Sequence, residues 1–136
     1  MKKTKKELFQ QKLETYLKDY EKTKKLICEV GFIAEGSIVK CYIRCGKKNC
    51  RCHKEKQYRH GPYYQLTWKE KGKTVTRYLS NEIAQLYHEW IANRQKLSIM
   101  IKKMNTISLN ARECISAINM INDPHLKAKK TSFKSH

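Results

Sequence analysis

Apolar side chains recur early in the chain at Phe9, Leu13, Tyr16, Tyr20 and Ile27, with Thr23 in step, at intervals of three and four. That spacing is one face of a 3.6-residue helix, and Lys and Glu fill the others, so a helix is predicted from Thr4 to Ile27. A short apolar link, Phe32-Ile33-Ala34, follows between Gly31 and Gly36. The period then drops to two. From Ile38 to Cys45, the residues Val39, Cys41 and Ile43 alternate with Lys40, Tyr42 and Arg44, which predicts a strand. A second strand is predicted from Pro62, with Tyr64, Leu66 and Trp68 inward and Tyr63, Gln65, Thr67 and Lys69 outward. Lys69-Glu70-Lys71-Gly72-Lys73 reads as a turn in which Gly supplies positive φ. A third strand, Lys73 to Leu79, closes the hairpin, with Thr76 and Tyr78 expected inward and Lys73, Val75 and Arg77 outward.

Ser80 is a fair N-cap, and Glu82 suits the first turn of a helix. Beyond it Ile83, Leu86, Trp90, Leu97, Met100, Met104, Ile107, Ala111, Cys114, Ile118 and Ile121 hold a three-four spacing, with Asn93 the polar member. Ser108-Leu109-Asn110 is a candidate break, and Asn122-Asp123-Pro124 ends the helix. The predicted fold class is α+β: an N-terminal helix, a three-stranded antiparallel sheet with a Cys/His-rich loop, and a long coiled-coil-like C-terminal helix. The expected segments are 1–35, 36–79, 80–122, and a disordered basic tail over 123–136. The long stripe covers 39 residues, whereas the N-terminal one, Phe9 to Ile27, covers 19. The expectation is therefore a homodimer, or a larger protein partner, through the 83–121 helix, with Asn93 setting register.

A chain of 136 residues fits one small domain with a helical extension. No apolar run reaches the ~18 residues of a membrane span, and no apolar segment follows the basic Met1–Lys6 start. A cytoplasmic protein without a membrane partner is expected. In that reducing compartment six cysteines point to metal or burial rather than disulfides. The net charge of +18 is uneven: residues 36–79 carry twelve Lys/Arg against two Asp/Glu. Such a surplus calls for a polyanion, and counterion release makes nucleic acid the commonest one. Anionic lipid more naturally recruits a basic amphipathic helix than a cysteine-bearing strand region.

The stretch from Cys45 to His60 has no periodicity and dense positive charge, so something must order it. The spacing Cys45-x4-Cys50-x-Cys52-x7-His60 offers three thiols and an imidazole, the donor set of a structural zinc. His53 competes for the fourth position. His60 is favoured because it begins the next strand and ties both ends of the loop together. Cys28, Cys41 and Cys114 fall on or near apolar faces and are expected in the core. The acids near the loop are Glu55 and Glu70, and no paired carboxylates, phosphate cradle or nucleophile elbow is visible, so no enzymatic activity is expected. Thiolate redox sensing by Cys50 and Cys52 is an alternative.

The expected nucleic-acid surface combines Lys40, Tyr42, Arg44, Tyr63, Gln65, Thr67, Lys69, Lys73 and Arg77 from the strands with Lys47, Lys48, Arg51, Lys54 and Arg59 from the loop. These side chains hold phosphates, read base edges or stack on bases. In a competing arrangement Tyr42 and Tyr63 pack under the N-terminal helix.

The run Gly36-Ser37-Ile38-Val39, Tyr42-x-Arg44-Cys45-Gly46-Lys47-x-x-Cys50-Arg51-Cys52, His60-Gly61-Pro62-Tyr63-Tyr64-x-Leu66-x-Trp68 and Gly72-Lys73-Thr74-x-Thr76-Arg77-Tyr78 resembles a family of short prokaryotic proteins of unknown function. The resemblance covers residues 36 to 95. It implies no activity, though members look like accessory proteins of mobile elements. In that pattern a basic residue often stands where this chain has Val75. The strand-strand-strand-helix order is similar to the small sheet domains with which phage integrases grip arm DNA. The expected function is thus zinc-stabilised nucleic-acid binding, DNA before RNA, as an accessory subunit in a recombination or other nucleoprotein complex. A protein-interaction adaptor is the alternative from another class.

Overall fold

The computed structural model describes residues 2–126, and the part of the predicted tail at 127–136 lies outside the described residues. The elements are α1 (Lys5–Cys28), β1 (Ser37–Ile43), two short 3-10 turns at Arg51–His53 and Lys56–Tyr58, β2 (His60–Glu70), β3 (Lys73–Leu79) and α2 (Asn81–Asn122). This is the α+β order predicted. The chain divides into two compact units, one spanning Val30–Leu97 and the other built from α1 and the part of α2 from Ser98 onward. The division falls inside α2.

In the Val30–Leu97 unit the strands form one antiparallel sheet in the order β1-β2-β3. Glu70 pairs with Lys73, so Lys71 and Gly72 alone make the hairpin loop, both at positive φ (50° and 78°). Two such residues match the right-handed twist of the flanking strands, and glycine tolerates the conformation at no steric cost. The two-residue loop then sets the register: Trp68 lies opposite Val75, Leu66 opposite Arg77, and Tyr64 opposite Leu79. On the other side Ile38 pairs with Leu66 and Lys40 with Tyr64.

Directly paired residues share a face of the sheet. One face therefore carries Ile38, Tyr64, Leu66, Trp68, Val75 and Leu79, all buried or half-buried, with Leu66 only 3% exposed. The other carries Val39, Cys41, Tyr63, Gln65, Thr67, Thr76 and Tyr78. This corrects the expected phase of two strands. Val75, not Thr76 or Tyr78, points with Leu66, and Val39 and Cys41 lie on the open side. A period of two leaves both phases open for strands whose two faces each hold apolar residues, and pairing decides between them.

Ser80 caps α2, its Oγ accepting from the Ile83 amide at 3.4 Å. Ala84 is fully buried and Tyr87, Trp90 and Ile91 half-buried, whereas Ile83 and Leu86, expected in the seam, are exposed. The seam is thus displaced by one residue in its first turns. The Phe32–Glu35 link is stitched to the same stretch of helix. The Ala34 amide donates to the Trp90 carbonyl at 3.1 Å, Phe32 meets the Trp90 ring edge-on at 5.6 Å, and Arg94 pairs with Glu35 at 3.1 Å. Asn93 donates to the Phe32 carbonyl at 2.9 Å. Its side-chain amide is thus engaged by the link within the chain.

In the other unit, Thr4 and Glu7 form a reciprocal capping box at the start of α1, both bonds 3.2 Å. This satisfies two amide donors that the first helical turn would otherwise leave open. Tyr16 and Tyr20 share one hollow with Ile107 and Ala111, while Leu8 and Phe9 share another with Ala117, Met120 and Ile121. Positions on α1 fall as those on α2 rise, so the pair is antiparallel. Ile107, Cys114 and Thr23 are buried, and the Thr23 hydroxyl is satisfied by the Asp19 carbonyl at 3.0 Å. Cys28, expected in a core, is exposed, and Cys41 is half-exposed. α2 runs unbroken through Ser108–Asn110.

The long stripe therefore has partners of its own. Its first part serves the sheet and link in one unit, and its second part serves α1 in the other. No helix among the described residues is long and apolar enough to cross a membrane.

Candidate metal centre

The loop between β1 and β2 is held by short-range hydrogen bonds. The Cys50 amide donates to Lys47 O, the His53 amide to Cys50 O and the Lys54 amide to Arg51 O, at 3.0–3.2 Å. The second 3-10 turn repeats the pattern with Tyr58 to Glu55 and Arg59 to Lys56. Arg51 stacks over the Tyr58 ring at 5.5 Å, joining the two turns. These local bonds turn the chain sharply enough to bring Cys45, just past β1, against Cys50 and Cys52. β2 then delivers His60 from its first position.

The ligand atoms of Cys45, Cys50, Cys52 and His60 all lie within 4.8 Å of one another. Cys45 and Cys52 Sγ are 3.6 Å apart, and Cys50 Sγ is 3.3 Å from His60 Nε2. A tetrahedral ion with bonds of about 2.3 Å to sulfur and about 2.1 Å to nitrogen requires S···S edges near ~3.8 Å and S···N edges near ~3.6 Å. The site matches both and can hold a metal ion. The donors are three thiols and an imidazole, with no carboxylate among them.

His53 is no ligand. Its Nε2 lies 2.9 Å from the Cys45 carbonyl, where it braces the backbone of the first ligand. His60, the candidate favoured from the sequence, is the histidine that lies with the three thiols. Cys52 is 1% exposed and its Sγ accepts from the Cys45 amide at 3.3 Å. Burial pushes the Cys52 thiol above its ordinary value. The backbone amide of Cys52, followed by His60, holds the Cys50 thiol down at about 6. One thiolate is thus favoured at neutral pH before any ion arrives. Gly61 enters β2 at φ +144°, and a Cβ there would come within 2.9 Å of the Cys41 carbonyl. Only glycine lets the strand start this close to β1.

The fourteen expected nucleic-acid residues do not form one surface. Tyr63, Gln65, Thr67 and Lys69 lie on the open sheet face. Lys40, Lys73 and Arg77 belong to the face of Leu66, at its edges, and Arg77 stacks over Trp68 at 5.6 Å. Tyr42 falls in the irregular step between Cys41 and Ile43, and Arg44 lies just past β1. Lys47, Lys48, Arg51 and Lys54 are exposed on the metal loop, while Arg59 is half-buried with Nε unpartnered. Tyr63 is 41% exposed, so it does not pack as a core residue. Tyr78 and Val39, not among the expected contacts, turn out to flank Gln65 on the open face. The signal that would have placed Tyr78 was the two-residue Lys71-Gly72 loop, which fixes the pairing of β3 by counting alone.

The chain belongs to the family described as Domain of unknown function (DUF6788), whose sequence model matches residues 5–88. That span takes in α1, the sheet, the whole ligand set and the start of α2. No curated protein and no solved structure matches the chain.

Proposed function

We propose that this chain is a non-enzymatic nucleic-acid-binding protein whose basic module is pinned by a structural zinc ion. One observation carries the reading. The four donors of the metal centre converge within a segment holding twelve Lys/Arg and two Asp/Glu. Three thiolates and an imidazole in tetrahedral spacing select zinc among the common cellular ions. An ordered loop then presents Lys47, Lys48, Arg51 and Lys54 as fixed cations instead of a mobile charged tether, which lowers the entropic cost of contacting phosphates. Such a module suits an accessory subunit of a larger nucleoprotein complex, such as one that recombines or transposes DNA.

The test is native mass spectrometry of protein purified without added metal, followed by binding to labelled DNA across a salt series. One zinc per chain, lost in Cys50→Ser and His60→Ala, and a steep inverse dependence of affinity on salt are expected. A metal-free chain, or affinity for nucleic acid no better than for an uncharged polymer, overturns the reading. A second reading, a protein adaptor, draws on the helical unit, where Leu17 and Ile115 remain more than half exposed. It predicts a protein complex that survives high salt.

A further inference from the structure

The corrected register gives the open sheet face a distinct chemistry. Three rows cross it: Ser37, Thr67 and Thr76; then Val39, Gln65 and Tyr78; then Cys41 and Tyr63. Tyr78 is 63% exposed and Val39 56%. Tyr63 stands diagonally from Tyr78, so Gln65 lies beside both rings. Opposite the Thr67–Thr76 pair, whose hydroxyls are 3.4 Å apart, the chain contributes Ser37. Among the residues on this face the only charge is Lys69, and no Asp or Glu belongs to it. Its cations are at the ends of the strands. Arg44, Lys47, Lys48 and Arg51 follow β1 in the metal loop, and Lys69 and Lys71 lie at the opposite hairpin end.

We infer that this open face binds single-stranded nucleic acid, stacking unpaired bases on Tyr63 and Tyr78 while the cations at both ends hold the backbone. The inference rests on the nucleic-acid reading above and narrows it. A ring can stack only on a base whose face is free, and in a duplex each base face is already covered by its neighbours. The commonest base contact of a sheet in a duplex groove is Arg or Lys to guanine, and a face without a central cation forgoes it. Here Arg77 and Lys40 lie on the opposite face, and Arg77 is engaged with Trp68. What remains in the middle is two phenol rings, an amide and hydroxyls, which match base planes and base edges, with Val39 and Cys41 beside them. The surplus of ten positive charges over residues 36–79 supplies the complementary attraction for phosphate. An apolar protein partner would leave the hydroxyl row and the flanking cations unsatisfied.

The experiment is fluorescence anisotropy with a labelled oligothymidylate, an oligouridylate and a hairpin duplex of equal length at one salt concentration. The single strands are expected to bind at least about 10-fold more tightly than the duplex, and Tyr63→Ala and Tyr78→Ala each to weaken single-strand binding by about 5- to 100-fold. Tyr78→Phe keeps the ring and retains binding, which separates stacking from folding, and zinc content and circular dichroism report whether each variant is intact. Equal affinity for duplex and single strands, or alanine variants that bind as the parent does, overturns the inference and leaves phosphate binding standing. Failure to bind any of the three probes removes the nucleic-acid reading itself.

Discussion

The two units of this protein solve the same problem with different means. The helical unit is ordered by repetition: every third or fourth residue of α1 and of the later part of α2 adds to one stripe, half-buried along most of its length and buried at Thr23, Ile107 and Cys114, and the capping box of Thr4 and Glu7 starts it cleanly. The strand unit has little to repeat. Its core face rests on Leu66 and five half-buried neighbours, and its sixteen-residue loop from Cys45 to His60 buries only Cys52 among its side chains. A metal is a compact substitute for the apolar area such a loop lacks. With the proposed metal bound, stability in the strand unit is concentrated in four side chains, whereas in the helical unit it is spread over many small terms.

The largest expected effect follows from that concentration. Cys52→Ser, or chelation, should unfold the loop and destabilise the strand unit by up to about 10 kcal/mol, since structural zinc sites contribute on that order. Amide exchange should rise across 36–79 and stay protected in α1. Uniform loss of protection across both units would sink the division. Next comes Leu66→Ala, which removes a side chain 3% exposed and should cost about 2–5 kcal/mol, read as a lowered midpoint in urea confined to the strand unit.

A smaller effect distinguishes the thiols. Lowering the Cys50 value from 9.0 to about 6 favours the folded loop above the ordinary thiol value, and that contribution fades as pH falls through about 6. In metal-free protein under stabilising conditions, where circular dichroism still reports the folded strands, iodoacetamide should label Cys50 first, with a midpoint near pH 6, and Cys52 only at clearly more alkaline pH. Equal labelling of the two at pH 7 would contradict the arrangement of the site. The smallest change is Arg94→Ala. It breaks an exposed ion pair with Glu35, so a loss of about 0–1 kcal/mol is expected, and a larger one by thermal melting would mean the link is held mainly by charge.

Much of the architecture was legible along the chain because it rests on local rules. The three-four spacing in α1 and α2, the strands on either side of Lys71-Gly72, the Ser80 cap and the set Cys45, Cys50, Cys52 and His60 are all matters of short spacing, and the fold bears them out. Between His53 and His60 the sequence only leaned to the latter, and the fold places His60 with the thiols and His53 on the Cys45 carbonyl. Other features depend on distant partners. Which face of β1 is covered hangs on its pairing with β2 across the long metal loop, and no local count spans that loop. Ala84 instead of Ile83 is buried, and Tyr87 after it lines a hollow with Leu66 and Trp68 of the sheet. Asn93 found the Phe32 carbonyl, 61 residues away.

The sequence alone determined the elements, their order and the three clustered thiols, with His60 favoured over His53 beside them, because periodicity and ligand spacing are written within a few residues of each other. The tertiary structure alone decided how Tyr63 and Tyr78 come to share an open face while Arg77 and Lys40 turn to the other. The physical reason is that strand pairing, not side-chain preference, assigns a residue to a face once both phases of a strand carry apolar groups.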